Sequence, residues 1–339
     1  MAVQRDAGQV VSASAIRCSR VKWLRRGWIP LGGISLLAGP PGIGKSTLAI
    51  DTVARLSRGE LTGSPQPSLI VTAEDSLSAV VAPRLRAAEA DMDLVLLPEP
   101  EREDALWLPD AVAEIRQWVE QHGVKLVVLD PLTAFLPDGK VDTWRDSSVR
   151  GALAPLARMA DRYQIAVLAV VHLNKGGSSD PIRRVGGSIG LPAAARSVLL
   201  LAGDPDYPDS DRRVLAHAKS NFGRLSRSVL LEIRESGEDE PSRIVELGSS
   251  PHAASDLLGE PENASKLEEA MDFLAAELAA GPRGTAELLT AANADGISEI
   301  TLRRAKRRLD VGASKVGFKG WEWALPQPDD TTSNDAPAA

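Results

Sequence analysis

The sequence has one cysteine, Cys18, in 339 residues, so it can form no intrachain disulfide framework and no metal site built from several thiolates. Histidine is nearly as scarce, and the four present, His122, His172, His217 and His252, show no metal-ligand spacing. No apolar run approaches the roughly 18 to 20 residues that a membrane span needs. Arg5 and Asp6 are not followed by the apolar core of a secretion signal. The expectation is a protein of the reducing cytoplasm, away from the membrane. Excess positive charge is also missing: 39 Lys and Arg against 46 Asp and Glu leave a net charge of −7. That argues against a chain coating nucleic acid over its whole surface and leaves room for a local basic face. What is present, 43% hydrophobic and 25% charged residues, is the composition of a globular protein; wholesale disorder, collagen-like repeats and a coiled-coil rod are excluded. The length suits two domains, or one large domain with an appendage.

Between about 21 and 247 short apolar runs alternate with helical patterns, the signature of βαβ units around a largely parallel sheet. Strands are expected at 34–38, 69–73, 94–97, 126–129, 165–171, 197–201, 214–218 and 229–233. Most are apolar throughout, as strands covered on both faces must be. Helices fit 45–57, 83–90, 109–122 and 147–163, the last with Val149, Leu153, Leu156 and Ala160 on one stripe. The fold class expected is a doubly wound α/β domain. Residues 248–264, rich in Gly, Ser, Pro and acidic side chains, read as a linker. After it, Ser265 with Glu268 looks like a capping box, and Leu267, Met271, Leu274 and Leu278 recur at helical spacing. Further helices fit 285–293 and 298–309, and 315–325 reads as a hairpin turning at Gly317 and Gly320, with Trp321 and Trp323 as core anchors. Three helices and a hairpin over 265–325 describe a winged helix-turn-helix. Residues 1–20 and 326–339 are expected to be flexible or disordered.

Gly39-Pro40-Pro41-Gly42-Ile43-Gly44-Lys45-Ser46 matches the phosphate-loop pattern G-x-x-x-x-G-K-[ST] without a departure, between an expected strand and an expected helix. The glycines let backbone N–H groups turn onto phosphate oxygens, and the helix starting near Lys45 aims its N-terminal dipole at them. Lys45 then bridges the β- and γ-phosphates, Ser46 ligates Mg²⁺, and Thr47 completes the loop. The cofactors implied are ATP and Mg²⁺. A second magnesium group is usually an aspartate ending an apolar strand, and Leu126-Val127-Val128-Leu129-Asp130 supplies one. Asp161 and Asp204 read as solvated. Pro131, not a glutamate, follows Asp130, so the residue that polarises the attacking water is sought elsewhere. The run 69–73 ends in Glu74 and Asp75, at the strand edge where ligands bind in open α/β sheets. Glu74 is the expected base and Asp75 the reserve; the alternative is that either caps the following helix. His172 ends another strand at that edge, as a site residue or as a core histidine.

These residues resemble a known group, the RecA-type ATPases, and within it the RepA-like replicative helicases and related AAA-type ATPases of plasmids, phages and mobile elements. The resemblance covers about 21–247 and rests on "WIPLGGISLLAGPPGIGKSTLA", "VTAEDSLSAVVAPRLRAAEAD", "LVVLDPLTAFL", "AVVHLNKGG" and "GGSIGLPAAARSVLLL". It implies Lys45 and Ser46 as Walker A ligands, Glu74 as the water-activating carboxylate, Asp130 as Walker B and His172 as γ-phosphate sensor. It also implies that Arg196 is an arginine finger reaching a neighbouring subunit, and hence a homo-oligomeric ring, a hexamer. Many ring helicases carry Lys-x-Arg on a late strand; here Lys219-Ser220-Asn221 lacks the arginine, which shifts weight to Arg196. The glycine-rich basic stretch with Lys175, Arg183 and Arg184 falls where the resembled ATPases touch single-stranded nucleic acid in a central channel. It has no aromatics, so contact there would be through phosphates and without sequence preference.

Between Ile297 and Gly320 seven basic residues stand against two acidic ones, a local balance of +5 in an acidic chain. On the helix at 298–309, Ile300, Leu302, Ala305 and Leu309 can face a core while Arg303, Arg304, Arg307 and Arg308 project outward, the arrangement in which a helix-turn-helix meets duplex DNA. The alternative is a solvated or subunit-docking face. The functional expectation is an ATPase motor of helicase or loader type acting on DNA. A DNA-binding regulatory ATPase whose nucleotide state controls oligomerisation is the competing reading.

Overall fold

In a computed structural model, residues 12–99, 106–136, 146–174, 180–185, 190–235, 237, 240–258, 262–315 and 320–326 are described. The chain divides into two units, Met1–Ala202 with Arg213–Ala254, and Gly203–Arg212 with Ser255–Ala339.

The first unit opens with β1 (Trp23–Arg25) and β2 (Ile29–Pro30), paired antiparallel. β3 (Gly33–Gly39) then leads through a glycine-rich turn into α1 (Lys45–Ser57). β4 (Ser68–Thr72), α2 (Ala82–Ala87), the short β5 (Val95–Leu96), α3 (Val112–His122) and β6 (Leu126–Asp130) follow. Next come α4 (Asp146–Tyr163), β7 (Ala166–His172) and the one-turn helices α5 (Pro181–Arg184) and α6 (Gly190–Ala194). The last four strands are β8 (Ser197–Gly203), β9 (Arg212–Ser220), β10 (Val229–Arg234) and β11 (Arg243–Ser249).

Nine strands form one sheet in the order β11-β10-β9-β8-β3-β7-β6-β4-β5. From β8 to β5 the neighbours run parallel, while β10 and β11 pair antiparallel. All seven residues of β3 are buried, as are all but the last of β6 and of β7. These are the runs that lack polar alternation, because helices cover both faces. Leu48, Val53 and Leu56 of α1 share one core cluster with Leu37, Val128 and Leu168 of the sheet. Full burial of each such side chain is worth about 1.5–3 kcal/mol. The start of α1 is thereby held against the middle of the sheet. On α4 the stripe Val149, Leu153, Leu156 and Ala160 is buried as its spacing predicts.

All eight expected strands form, with no end moved by more than two residues. Three others were not expected. β1 and β2 are too short to show a period, and β11 is an edge strand with most residues exposed, so it carries no apolar run.

The second unit holds α7 (Glu262–Leu278), β12 (Arg283–Gly284), α8 (Thr285–Ala294), α9 (Glu299–Arg308), β13 (Gly312–Lys315) and β14 (Trp321–Ala324). β14 lies between β12 and β13, antiparallel to both. Ala270, Leu274, Leu278, Leu288, Ala292, Leu302, Ala305, Val311 and Trp323 form its core. Several expectations need correction. Gly248 and Ser249 belong to β11 and residues 262–264 to α7, so the segment read as a linker is shorter. Ser265 is the fourth residue of α7, inside the helix and not at the N-cap position that a capping box requires. Trp323 is buried between Arg283 and Ala313, whereas Trp321 is 56% exposed, because β12 ends before reaching it. Gly317, residues 1–11 and residues 327–339 lie outside the described residues.

Candidate active site

The C-terminal ends of β3, β7, β6 and β4 lie along one sheet edge and present Gly39, His172, Asp130 and Thr72, with Gly39 in register with His172 and Thr72 with Asp130. Gly39, Pro40, Pro41, Gly42, Ile43 and Gly44 form the turn from β3 to α1. Two glycines there are required by geometry. A Cβ on Gly39 would lie 2.4 Å from the Leu201 carbonyl oxygen, and Gly44 caps α1 with φ at +100°, where a Cβ would also lie 2.4 Å from Ile233 Cδ1. Lys45 is buried; its Nζ donates to the carbonyls of Gly39 (3.0 Å) and Pro40 (2.7 Å), so the ammonium is held within the loop. Burial pushes its pKa down, against the pull of Asp130 and Glu74. Thr47 is buried one residue beyond Ser46.

Asp130 is the point on which these elements converge. Burial raises its pKa, and so do the carboxylates of Asp75 and Glu74, while a hydrogen bond from the Ser46 side chain and the charge of Lys45 work in the opposite direction. The Ser46 hydroxyl and the Asp130 carboxylate, neighbours at the start of a phosphate-loop helix, are hard oxygen donors of the kind Mg²⁺ prefers. A dication there would relieve the desolvated charge of Asp130. The two neighbouring acids differ. Asp75 is paired with Arg84 at 2.9 Å, and its N–H faces Thr72 Oγ1 at 3.4 Å. Glu74 remains exposed, within electrostatic reach of both Lys45 and Asp130. The His172 ring is partly buried, and its Nδ1 has no hydrogen-bond partner among the described residues.

Other expected residues stand apart from this edge. Arg196 precedes β8 and packs its Cγ beside Gly33, at the opposite end of β3. Six residues of strand put it about 20 Å from the phosphate loop of its own chain. Lys219 donates to the carbonyls of Pro192 (2.6 Å) and Ala195 (2.8 Å), at the end of α6. Burial and the charge of Arg196 push its pKa down. Arg183 and Arg184 sit on α5, close to where a bridge between Leu173 and Val185 closes the segment; Lys175 lies outside the described residues.

On α9 the expectation of four outward arginines is corrected. Arg303 is exposed and pairs with Glu299 at 2.7 Å, as i,i+4 neighbours do. Arg304 keeps only 12% side-chain exposure, because Pro205 and Asp206 supply it with oxygen partners, and Arg308 donates to the Asp206 carbonyl at 2.7 Å. The side chain of Arg307 lies outside the described residues. Asp204, expected in solvent, is buried and accepts a hydrogen bond from the Asp206 N–H. Sequence reasoning missed two arginines. Arg84 holds Asp75, and Arg213 donates Nε to the Ile43 carbonyl at 3.3 Å. The nine-residue spacing of Asp75 and Arg84 across a helical turn was a weak signal for the first; the sequence carried none for the second.

Residues 3–178, just over half the chain, match the family described as AAA domain. The DNA repair protein RadA of Helicobacter pylori strain 26695 is 30% identical over 212 residues, 62% of this chain and 42% of that protein. RadA of Bacillus subtilis strain 168 is 28% identical over 222 residues, 64% of this chain and 43% of that protein. The match thus spans less than half the length of these relatives. Among solved structures, the ATPase domain of G40P aligns at 15% identity with a TM-score of 0.48, over 59% of this chain and 81% of that one. No helix among the described residues is long and apolar enough to cross a membrane.

Proposed function

The chain belongs to the AAA domain family, and on that premise we propose that it binds ATP with Mg²⁺, hydrolyses it and couples hydrolysis to DNA. One observation carries the reading: Lys45, Ser46 and Asp130 meet at a single sheet edge, with the exposed carboxylate of Glu74 beside them. Loop N–H groups from Gly39 to Ser46 and the N-terminus of α1 would cradle the phosphates. Lys45 would offset charge developing on the γ-phosphate. Ser46 and Asp130 would hold Mg²⁺, which neutralises phosphate charge when bound. Glu74 would take the proton of the attacking water. Asp75, neutralised by Arg84, is the weaker base. His172, whose Nδ1 has no partner among the described residues, would sense the γ-phosphate at the same edge.

Coupling to DNA is supported by the basic helix α9, in what we read as a winged-helix unit, and by relatives named for DNA repair. Arg183 and Arg184, with Lys175, are the proposed contacts to single strands. Arg303, Arg304, Arg307 and Arg308 are the proposed contacts to duplex. Arg196 lies too far from its own phosphate loop to act in cis, which supports a role at a neighbour's nucleotide in a homo-oligomer such as a hexamer. A motor of replicative helicase or loader type is the form proposed. The regulatory alternative is favoured by one observation: the Lys219 ammonium is already engaged by the Pro192 and Ala195 carbonyls of its own chain. ATP turnover measured alone, with single-stranded DNA and with duplex tests the coupling, and strand separation on a forked substrate divides the readings. Stimulation with unwinding is expected of a motor. Turnover indifferent to both forms of DNA would contradict the coupling.

A further inference from the structure

Residues 203–212 carry four aspartates, Asp204, Asp206, Asp209 and Asp211, and fold as part of the second unit. Buried Asp204 shapes the segment by accepting a hydrogen bond from the Asp206 N–H at 3.0 Å, an Asx turn. The turn presents oxygen atoms to α9. Arg304 donates Nη2 to the Pro205 carbonyl at 3.2 Å and lies 3.9 Å from the Asp206 carboxylate. Arg308 donates Nη1 to the Asp206 carbonyl at 2.7 Å. The Tyr207 ring lies beneath two guanidinium groups, Arg212 at 4.4 Å and Arg308 at 5.9 Å. Oxygen acceptors and negative charge set against arginine are what a phosphate backbone would offer the same helix.

We propose that this acidic segment is an internal competitor for the polyanion-binding face of α9, and that duplex DNA must displace it from Arg304 and Arg308. The proposal rests on the reading of α9 as a DNA-contacting helix. A segment docked nine-tenths of the time lowers the apparent affinity of the face about tenfold. Salt loosens the competitor as well as the DNA, so the handicap shrinks as ionic strength rises.

The test measures duplex binding by the full chain from low to high salt. It compares wild type, the charge-neutral Tyr207→Ala, and the combination Asp206→Asn, Asp209→Asn, Asp211→Asn. A control with the same charge change, Glu268→Gln, Glu269→Gln, Asp272→Asn, alters exposed positions of α7. Tyr207→Ala and the segment combination should bind several-fold to about tenfold tighter than wild type at low salt, with the gap closing as salt rises. The α7 control should gain clearly less. Equal affinities throughout, or an α7 control that gains as much as the segment variants while Tyr207→Ala gains nothing, would overturn the competition alone. If none of these proteins retains duplex at low salt, the reading of α9 falls and the proposal with it.

Discussion

Asp51 on the back of α1 shows how a single carboxylate records its surroundings. Burial raises its pKa to about 6, and Arg55, Arg25 and Arg58 offset only part of that. A raised folded pKa means stability that is full below the unfolded value and lost as pH rises through the folded one. Asp51→Asn should therefore stabilise the protein increasingly from pH 4 to pH 7, by at most about 3 kcal/mol, as urea unfolding at several pH values would show; a gain that does not grow with pH would contradict it. His217 runs the other way. Its Nε2 lies 3.0 Å from Ser197 Oγ, its Nδ1 accepts from the Ser226 N–H, and it stacks on Trp28, so burial lowers its pKa. Its contribution is full above the usual histidine range and is lost as pH falls below it. Neither residue was singled out in the sequence, because desolvation is a property of packing. The glycine-rich turn between β3 and α1 was legible in position, since the phosphate-loop pattern sets glycine, lysine and serine at fixed spacing between a strand and a helix. The pairing of Asp75 was not, because only the fold brings Arg84 to it.

Elements with an apolar run or stripe were legible, and those without an apolar face were not. The helix at 45–57 was expected with the bounds it has, because β3 enters it through Gly44 and its apolar residues face one core cluster. β11 was missed for want of that apolar face, and Trp321 was misplaced because a period of two does not reveal where the neighbouring strand stops. Gly44 allows a test that separates strain from clash. Gly44→Ala should weaken ATP affinity, through backbone strain of about 1–2 kcal/mol at positive φ and contact with Ile233. Adding Ile233→Ala should restore part of the affinity and leave the strain. Full recovery by calorimetric titration would mean that the clash alone mattered. In the second unit, Trp323→Ala removes the largest side chain of the core and should cost about 3–5 kcal/mol. Scanning calorimetry should show the transition of that unit lowered, with ATP turnover without DNA little changed.

For the molecule as a whole, the α/β class followed from periodicity and composition, whereas the placing of residues 203–212 in the second unit did not. Those residues are distant in sequence from α9, and only the folded chain sets their aspartates against its arginines. If Arg196 acts on a neighbour's nucleotide, mixing Arg196→Ala with Lys45→Ala chains should restore part of the turnover that each lacks alone, through interfaces joining one intact Arg196 to one intact Lys45. Additive inactivity would remove the trans role. The central claim, that the edge joining Lys45, Ser46, Asp130 and Glu74 hydrolyses ATP, is tested most directly by phosphate release from Glu74→Gln and Asp75→Asn, each with its ATP affinity measured alongside. The account predicts that Glu74→Gln binds ATP as wild type does and hydrolyses it at least about a hundredfold more slowly, with a milder loss for Asp75→Asn. Hydrolysis by Glu74→Gln at the wild-type rate would contradict it.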